Sequence, residues 1–314
     1  MHQTTNTILM IRPVHFRMNE QTAVNNYFQE DLSIKNATIN VKAQVEFDAF
    51  VKKLRAIGVC VIVEEDDKLM DTPDSIFPNN WVSFHANGDV GLYPMFAENR
   101  RKERRDEIFL RLEKEGFVIN NIIDYTSAET EGFFLEGTGS LLLDRKNAKA
   151  YCALSPRANE TLFIEFCEDF EYTPIVFTAN QTVNGIRMPI YHTNVMMCLG
   201  ETFAVICLDA IDDKKERKNI IRNLIHDAKE IIKISEEQVK HFAGNMLQVK
   251  GKNDKLYLVM SQAAYDCLSS RQILTIEKHC AILSSALATI ETCGGGSARC
   301  MMAEVFLPKI DSNL

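Results

Sequence analysis

The 314-residue chain carries 46% hydrophobic and 25% charged residues, the balance of a globular protein able to bury a full core. Its formal net charge of -8 argues against non-specific binding to nucleic-acid backbones or anionic lipid, although one buried arginine could still hold a small anion. Nine cysteines lack paired spacing, the apolar runs at 141–143 and 195–199 are too short to span a bilayer, and no secretory signal is visible, so a cytoplasmic protein is expected.

The first apolar run, residues 8–11, reads as a short buried strand ended by Arg12-Pro13. Residues 42–58 carry Val45, Phe47, Phe50, Val51 and Leu54 near helical spacing, with Gly58 as a stop signal and a strand at 59–63. The same helix-then-strand order is expected at 100–115 with 117–119, at 159–170 with 175–177, and at 213–228 with 230–234. It is expected again at 263–280 with 288–290. In the 100–115 helix Ile108, Phe109 and Leu112 would face inward, while the mixed-sign run from Asn99 to Arg105 reads as a solvated face.

Between these pieces, similar turn-plus-strand segments recur. They read Asn79-Asn80-Trp81-Val82, Glu136-Gly137-Thr138-Gly139, His192-Thr193-Asn194-Val195, Gly244-Asn245-Met246-Leu247 and Gly296-Ser297-Ala298-Arg299-Cys300. Aligned on Asn80, Glu136, His192, Gly244 and Gly296, they lie 56, 56, 52 and 52 residues apart. A second strand follows each of the first four, a hairpin signature. Five such units cannot each bury a face alone and must pack together. The fifth lacks its own helix, so amino-terminal residues are expected to complete it. The expected fold is therefore α/β, a five-bladed α/β-propeller of pseudo-fivefold ββαβ repeats around a central site, in a single domain over residues 1–314. No linker-like break in composition supports two domains.

Turns meeting at one centre would bring Asn80, Glu136, His192, Asn194 and Cys300 into one pocket. A carboxylate, an imidazole and a thiol are the minimal kit for nucleophilic catalysis. Cys300 stands apart because Gly294-Gly295-Gly296-Ser297 precedes it; such a loop lets backbone approach a ligand and can present N–H groups to developing negative charge. Cys60, Cys152, Cys198 and Cys207 lie in apolar strands and read as core residues. His192 can accept and return a proton near neutrality. Glu136, at the entrance of a buried strand, needs a donor partner, which a guanidinium, a ureido group or a protein arginine could supply. There is no CxxC, HExxH or paired-histidine spacing for a metal, and the glycine run fits neither phosphate-binding pattern. No cofactor is expected, because the thiol supplies the covalent chemistry.

On these motifs the chain resembles the pentein superfamily of guanidine-modifying enzymes, in its amidinotransferase-related branch. That branch holds arginine deiminases, dimethylarginine dimethylaminohydrolases, succinylarginine dihydrolases and glycine amidinotransferases. Phe77-Pro78-Asn79-Asn80-Trp81, Leu135-Glu136-Gly137-Thr138-Gly139, Tyr191-His192-Thr193-Asn194 and the glycine-rich Cys300 segment look closest to the citrulline-utilisation hydrolases. The resemblance implies Cys300 as nucleophile, His192 as general acid/base and Glu136 as the carboxylate orienting guanidinium or urea nitrogens. It implies Phe77, Asn80 and Asn194 as substrate-binding residues. Arg157, in Ser155-Pro156-Arg157, would pair with the substrate α-carboxylate, with Arg12 and Arg187 as alternatives. Deiminases carry aspartate where Asn80 and Asn194 stand, and asparagine suits a neutral ureido group.

The reaction so implied is C–N bond hydrolysis of citrulline, or of arginine through citrulline, to ornithine, ammonia and carbon dioxide. The alternatives are an arginine deiminase, a dimethylarginine hydrolase-like enzyme, an amidinotransferase, and a non-catalytic guanidino-binding protein. The expected partner is a guanidino or ureido amino acid rather than nucleic acid or membrane, and a homo-oligomer is compatible with the sequence.

Overall fold

The first helix of any length, Asn36–Ala56, buries Ile39, Ala43, Phe47, Phe50, Val51 and Leu54 along one face. Val45, expected inward, is 64% exposed. It stands two residues from Phe47, which turns it to the opposite side of the helix. Gly58 ends this segment with φ +92, the left-handed conformation that glycine adopts at least cost. In this computed structural model residues 2–310 are described, so Met1 and residues 311–314 of the expected domain lie outside the described residues.

Five three-stranded sheets share one topology. In each, a short first strand runs antiparallel to the middle strand, and the middle strand is parallel to a third. Val82–Phe84 pairs with Asp89–Leu92, which pairs with Asn121–Asp124. Leu141–Asp144, Lys149–Leu154 and Thr173–Thr178 form the next sheet. Met197–Leu199, Phe203–Ile206 and Glu230–Lys233 form another. Leu247–Lys250, Leu256–Ser261 and Ala281–Ser285 follow. The last sheet joins the chain's two ends: Thr7–Arg12 runs antiparallel to Ala303–Glu304 and parallel to Cys60–Glu65. In every sheet the parallel pair is bridged by a helical crossover, as parallel strands require.

The first strands touch one another between sheets, Ala303–Glu304 against Val82–Phe84 and Met197–Leu199 against both Leu141–Asp144 and Leu247–Lys250. The turns that enter these strands therefore gather at one end. Three of them are single helical turns, Pro78–Asn80, Gly137–Ser140 and Thr193–Met196, and the second touches the other two.

Four segments depart from expectation. Residues 117–119 make only an isolated bridge, Phe117 to Lys309, and the strand falls at Asn121–Asp124. Residues 288–290 open a helix, Ala288–Gly294, not a strand. The Glu46 carboxylate accepts from the backbone N–H groups of Thr289 and Ile290 at 2.8 and 3.0 Å, a cap supplied from another helix that overrides local β preference. The 100–115 helix is split into a 3₁₀ turn, Glu98–Glu103, and a helix, Asp106–Lys114. Within that turn Arg100 and Glu103 are buried, not solvated, because they pair with each other at 2.8 Å. Finally, Asn180–Val183 and Ile186–Pro189 form a hairpin outside the five sheets, turned by Asn184 and Gly185 at φ 50 and 79. Among the described residues no helix is long and apolar enough to cross a membrane.

Candidate active site

Cys300 is presented by a turn that begins where the helix Ala288–Gly294 stops. Gly294 and Gly296 lie flat against Phe77; a Cβ on either would meet its ring at 2.8 and 2.9 Å. Ser297 then opens the turn, its carbonyl accepting from the Cys300 N–H at 3.0 Å. Cys300 is buried, and its sulfur receives two amide N–H groups, from Asn245 Nδ2 at 3.2 Å and Asn194 Nδ2 at 3.5 Å. Asn245 is itself fixed, because its Oδ1 accepts from the Arg299 backbone at 3.0 Å. Amide donors at this place can steady negative charge that develops on the sulfur during attack. Among the other buried cysteines, burial pushes Cys198 up to about 12 and Cys207 up to about 11, so both remain thiols.

His192 and Glu136 form the second component. His192 Nε2 lies 2.7 Å from Glu136 Oε2, and both side chains are buried. Burial alone would raise the Glu136 carboxyl, but the Arg157 charge, the His192 hydrogen bond and Arg100 outweigh it and hold it at about 2. Burial lowers His192 to about 4, with Arg157 and Arg100 adding to the effect and Glu136 opposing it. At neutral pH the carboxylate is therefore ionised and the ring neutral. Nε2 must then carry the proton donated to Glu136, which leaves Nδ1 as the free base. The second Glu136 oxygen accepts the Phe96 N–H at 3.0 Å. Its partners within the chain are His192, the Phe96 N–H and, at 3.5 Å, Arg157.

A buried cavity is lined by Cys300, His192, Phe77, Asn80, Arg157 and Asp74 among others. Asp74 was not foreseen. Its Oδ2 accepts from Asn19 at 2.8 Å and Thr22 at 3.1 Å, while Oδ1 has no hydrogen-bond partner among the described residues. Burial raises this carboxyl against the pull of Arg100. A buried carboxylate oxygen without a donor costs free energy that a cationic ligand would recover.

Arg100, read from sequence as surface, also lines the cavity and donates to Asn80 Oδ1 at 2.8 Å. Asn80 Nδ2 in turn donates to Asn79 Oδ1 at 3.1 Å, leaving one N–H over. Arg157 is held by Asn25 Oδ1 and by the Thr22 carbonyl, and its NH1 stands 3.5 Å from Glu136. Asn194 sits behind the sulfur and does not line the cavity. The alternatives Arg12 and Arg187 are elsewhere, paired with Asp48 and Glu65 and with Asp212 and Glu236. Among the described residues no group of three His, Cys, Asp or Glu side chains could hold a metal ion.

The cavity is narrow, with a volume of only about 10 Å³. Its cover is the segment 26–29, where Asn26 and Gln29 donate to the Gly294 carbonyl at 3.3 and 3.0 Å. An amino-acid ligand needs far more room, so this cover must shift to admit one.

A family model described as "N,N dimethylarginine dimethylhydrolase, eukaryotic" matches residues 12–307. A search of the curated proteins finds no match. Among solved structures, ArgZ, an arginine dihydrolase from the ornithine-ammonia cycle in cyanobacteria, is similar with a TM-score of 0.73 at 16% identity. The match covers 97% of this chain and 41% of that one, so the chain spans about two fifths of the length of full-length ArgZ. The N-terminal domain of ArgZ bound to substrate aligns with a TM-score of 0.69 at 17% identity, over 96% of this chain and 99% of that one. A dimethylarginine dimethylaminohydrolase carrying an S-methyl-L-thiocitrulline adduct aligns at 0.63 and 14% identity, over 95% and 98%. At these identities the likeness is one of fold.

Proposed function

The chain belongs to the N,N-dimethylarginine dimethylhydrolase family of pentein enzymes, and from that premise we propose that it hydrolyses a C–N bond of a guanidino or ureido amino acid through a covalent bond to Cys300. One observation carries the reading. A thiol, a neutral imidazole and an unpartnered carboxylate oxygen line the same buried cavity. The five like sheets are read as five blades around that cavity, in one catalytic domain. Their common topology and the contacts between their first strands support this.

Asp74 Oδ1 receives the cationic end or the ammonium of the substrate, and Arg157 takes the α-carboxylate. The Cys300 proton passes to His192 Nδ1, and the sulfur adds to the central carbon to give a tetrahedral intermediate. Asn245 and Asn194 steady the sulfur as its charge develops. Imidazolium, stabilised by Glu136, returns the proton to the leaving nitrogen as the C–N bond breaks. His192 then takes a proton from water, which attacks the thioester-like carbon and releases Cys300. Glu136 acts on the substrate through His192 and is a positioning residue in this scheme.

Arginine carried through citrulline to ornithine is the favoured reaction. Arg100 fixes the Asn80 oxygen, and the spare Asn80 N–H suits a ureido oxygen, where an aspartate would offer no donor. The family match favours a second reading, release of dimethylamine from dimethylarginine. L-arginine, L-citrulline and dimethylarginine supplied separately distinguish them. Ornithine and ammonia from the first two are expected. Citrulline accumulating as the end product from arginine rejects ureido hydrolysis, and dimethylamine release selects the second reading.

A further inference from the structure

A second and much larger cavity, about 550 Å³, opens on the outer side of the cover over Cys300. That volume falls in the range of small-molecule sites, about 300–1,000 Å³. One wall is the hairpin Asn180–Val183 and Ile186–Pro189, the element that belongs to none of the five sheets. Gln181 on this hairpin is 9% exposed, yet its Nε2 has no acceptor among the described residues. Phe28 and Phe242 pack as tilted rings with centroids 5.5 Å apart and supply an apolar wall. Two carboxylates, Glu30 and Glu291, and one ammonium, Lys240, complete the charged lining. Among the described residues Lys240 is otherwise paired only with Glu237, which is 69% exposed, a contact of little worth.

Glu291 has a second role. Its Oε1 accepts from Ser297 Oγ at 2.6 Å, and the Ser297 carbonyl accepts from the Cys300 N–H at 3.0 Å. The Glu30 backbone is tied to the helix that precedes the glycine-rich turn, its N–H donating to the Thr292 carbonyl at 2.7 Å. The outer cavity is therefore joined to the segment that presents the thiol through the Glu291 carboxylate and the Glu30 backbone.

We propose that the outer cavity is a binding site for a free basic α-amino acid, with cationic groups on Glu30 and Glu291 and the carboxylate between Lys240 and Gln181 Nε2. Occupancy reaches Cys300 through Glu291 and Ser297. Burial pushes the Glu291 carboxyl up to about 7, so a cation bound beside it would draw it into the ionised form; with Glu30 and Lys240 the lining then complements two cations and one carboxylate. The choice of ligand rests on the proposed function; the site itself does not.

The probe is L-ornithine, titrated calorimetrically to millimolar concentration into Cys300→Ala chain. Two molecules per chain are expected. Gln181→Leu and Lys240→Glu, each added to Cys300→Ala, are expected to reduce this to one; Lys240 is exposed and the Gln181 amide makes no bond through Nε2, so neither change threatens folding. One molecule per chain in the parent that persists in both variants overturns the outer site and leaves the inner one standing. Two molecules persisting in both variants also overturn it. No binding at all overturns the inner reading with it.

Discussion

Replacing Glu136 by Gln removes one negative charge while keeping shape. Oε2 of Glu136 lies 2.7 Å from His192 Nε2, 3.5 Å from Arg157 NH1 and 3.9 Å from Arg100 NH1. Arg100 would keep Glu103, to which it donates at 2.8 and 2.9 Å. Arg157 would keep only neutral acceptors, Asn25 and the Thr22 carbonyl. A carboxyl held at about 2 instead of 4.5 expresses about 3 kcal/mol of preference for its ionised form. Orphaning a buried cation costs a similar amount, about 3–5 kcal/mol. Unfolding entropy of about 2.1 cal/mol/K per residue, over 314 residues, gives about 0.7 kcal/mol/K. The expected fall in Tm is therefore about 5–8 °C. Thermal unfolding at pH about 7, followed by circular dichroism, reads it. Adding Arg157→Met should recover part of the loss, because an apolar side chain then replaces the stranded charge. A Tm within about 1 °C of the parent, or a double variant as unstable as the two single losses combined, refutes the reasoning.

Cys300→Ala should lower turnover by about 10³-fold or more with Tm changed by no more than about 2 °C, checked by product assay and thermal melting. His192 makes the fold acid-sensitive: the unfolded chain takes up a proton near 6.5 that the folded chain refuses until about 4. Stability should thus fall as pH drops below about 6.5, by about 2 kcal/mol at pH about 5. Urea denaturation measures this, and a His192→Asn chain that shows the same fall counts against it. Asn194→Asp puts a negative charge beside the sulfur and should slow iodoacetamide alkylation of Cys300 about tenfold or more at fixed pH; an unchanged rate contradicts the amide's part in steadying the thiolate.

The recurrence of hairpin, helix and strand is legible in the sequence because each is set by local signals, such as the apolar face ending at Leu54 and the stop at Gly58. Glu136, His192 and Cys300 stand at the repeated turns, and the structure brings the imidazole to the carboxylate at 2.7 Å. Asn245 stands one residue after the aligned Gly244, in the same repeated turn, and could have been read from it. The hairpin at Asn184-Gly185 also had its turn signal, a pair that favours two successive residues at positive φ. Other features depend on partners far along the chain. The helix over 288–294 is capped by Glu46, and Asp74 reaches the cavity from outside the repeated turns. Arg100 sits in a run that looks like surface charge; Glu103, Asn80 and the Phe77 carbonyl, brought around it by the fold, make its burial tolerable.

The covalent step is tested most directly by quenching the chain with acid during turnover of L-arginine and L-citrulline, then weighing it intact and as peptides. A mass increment confined to the peptide that carries Cys300, and absent from Cys300→Ala, is the predicted result. Turnover that persists in Cys300→Ala, with no increment on that peptide in the parent, contradicts it.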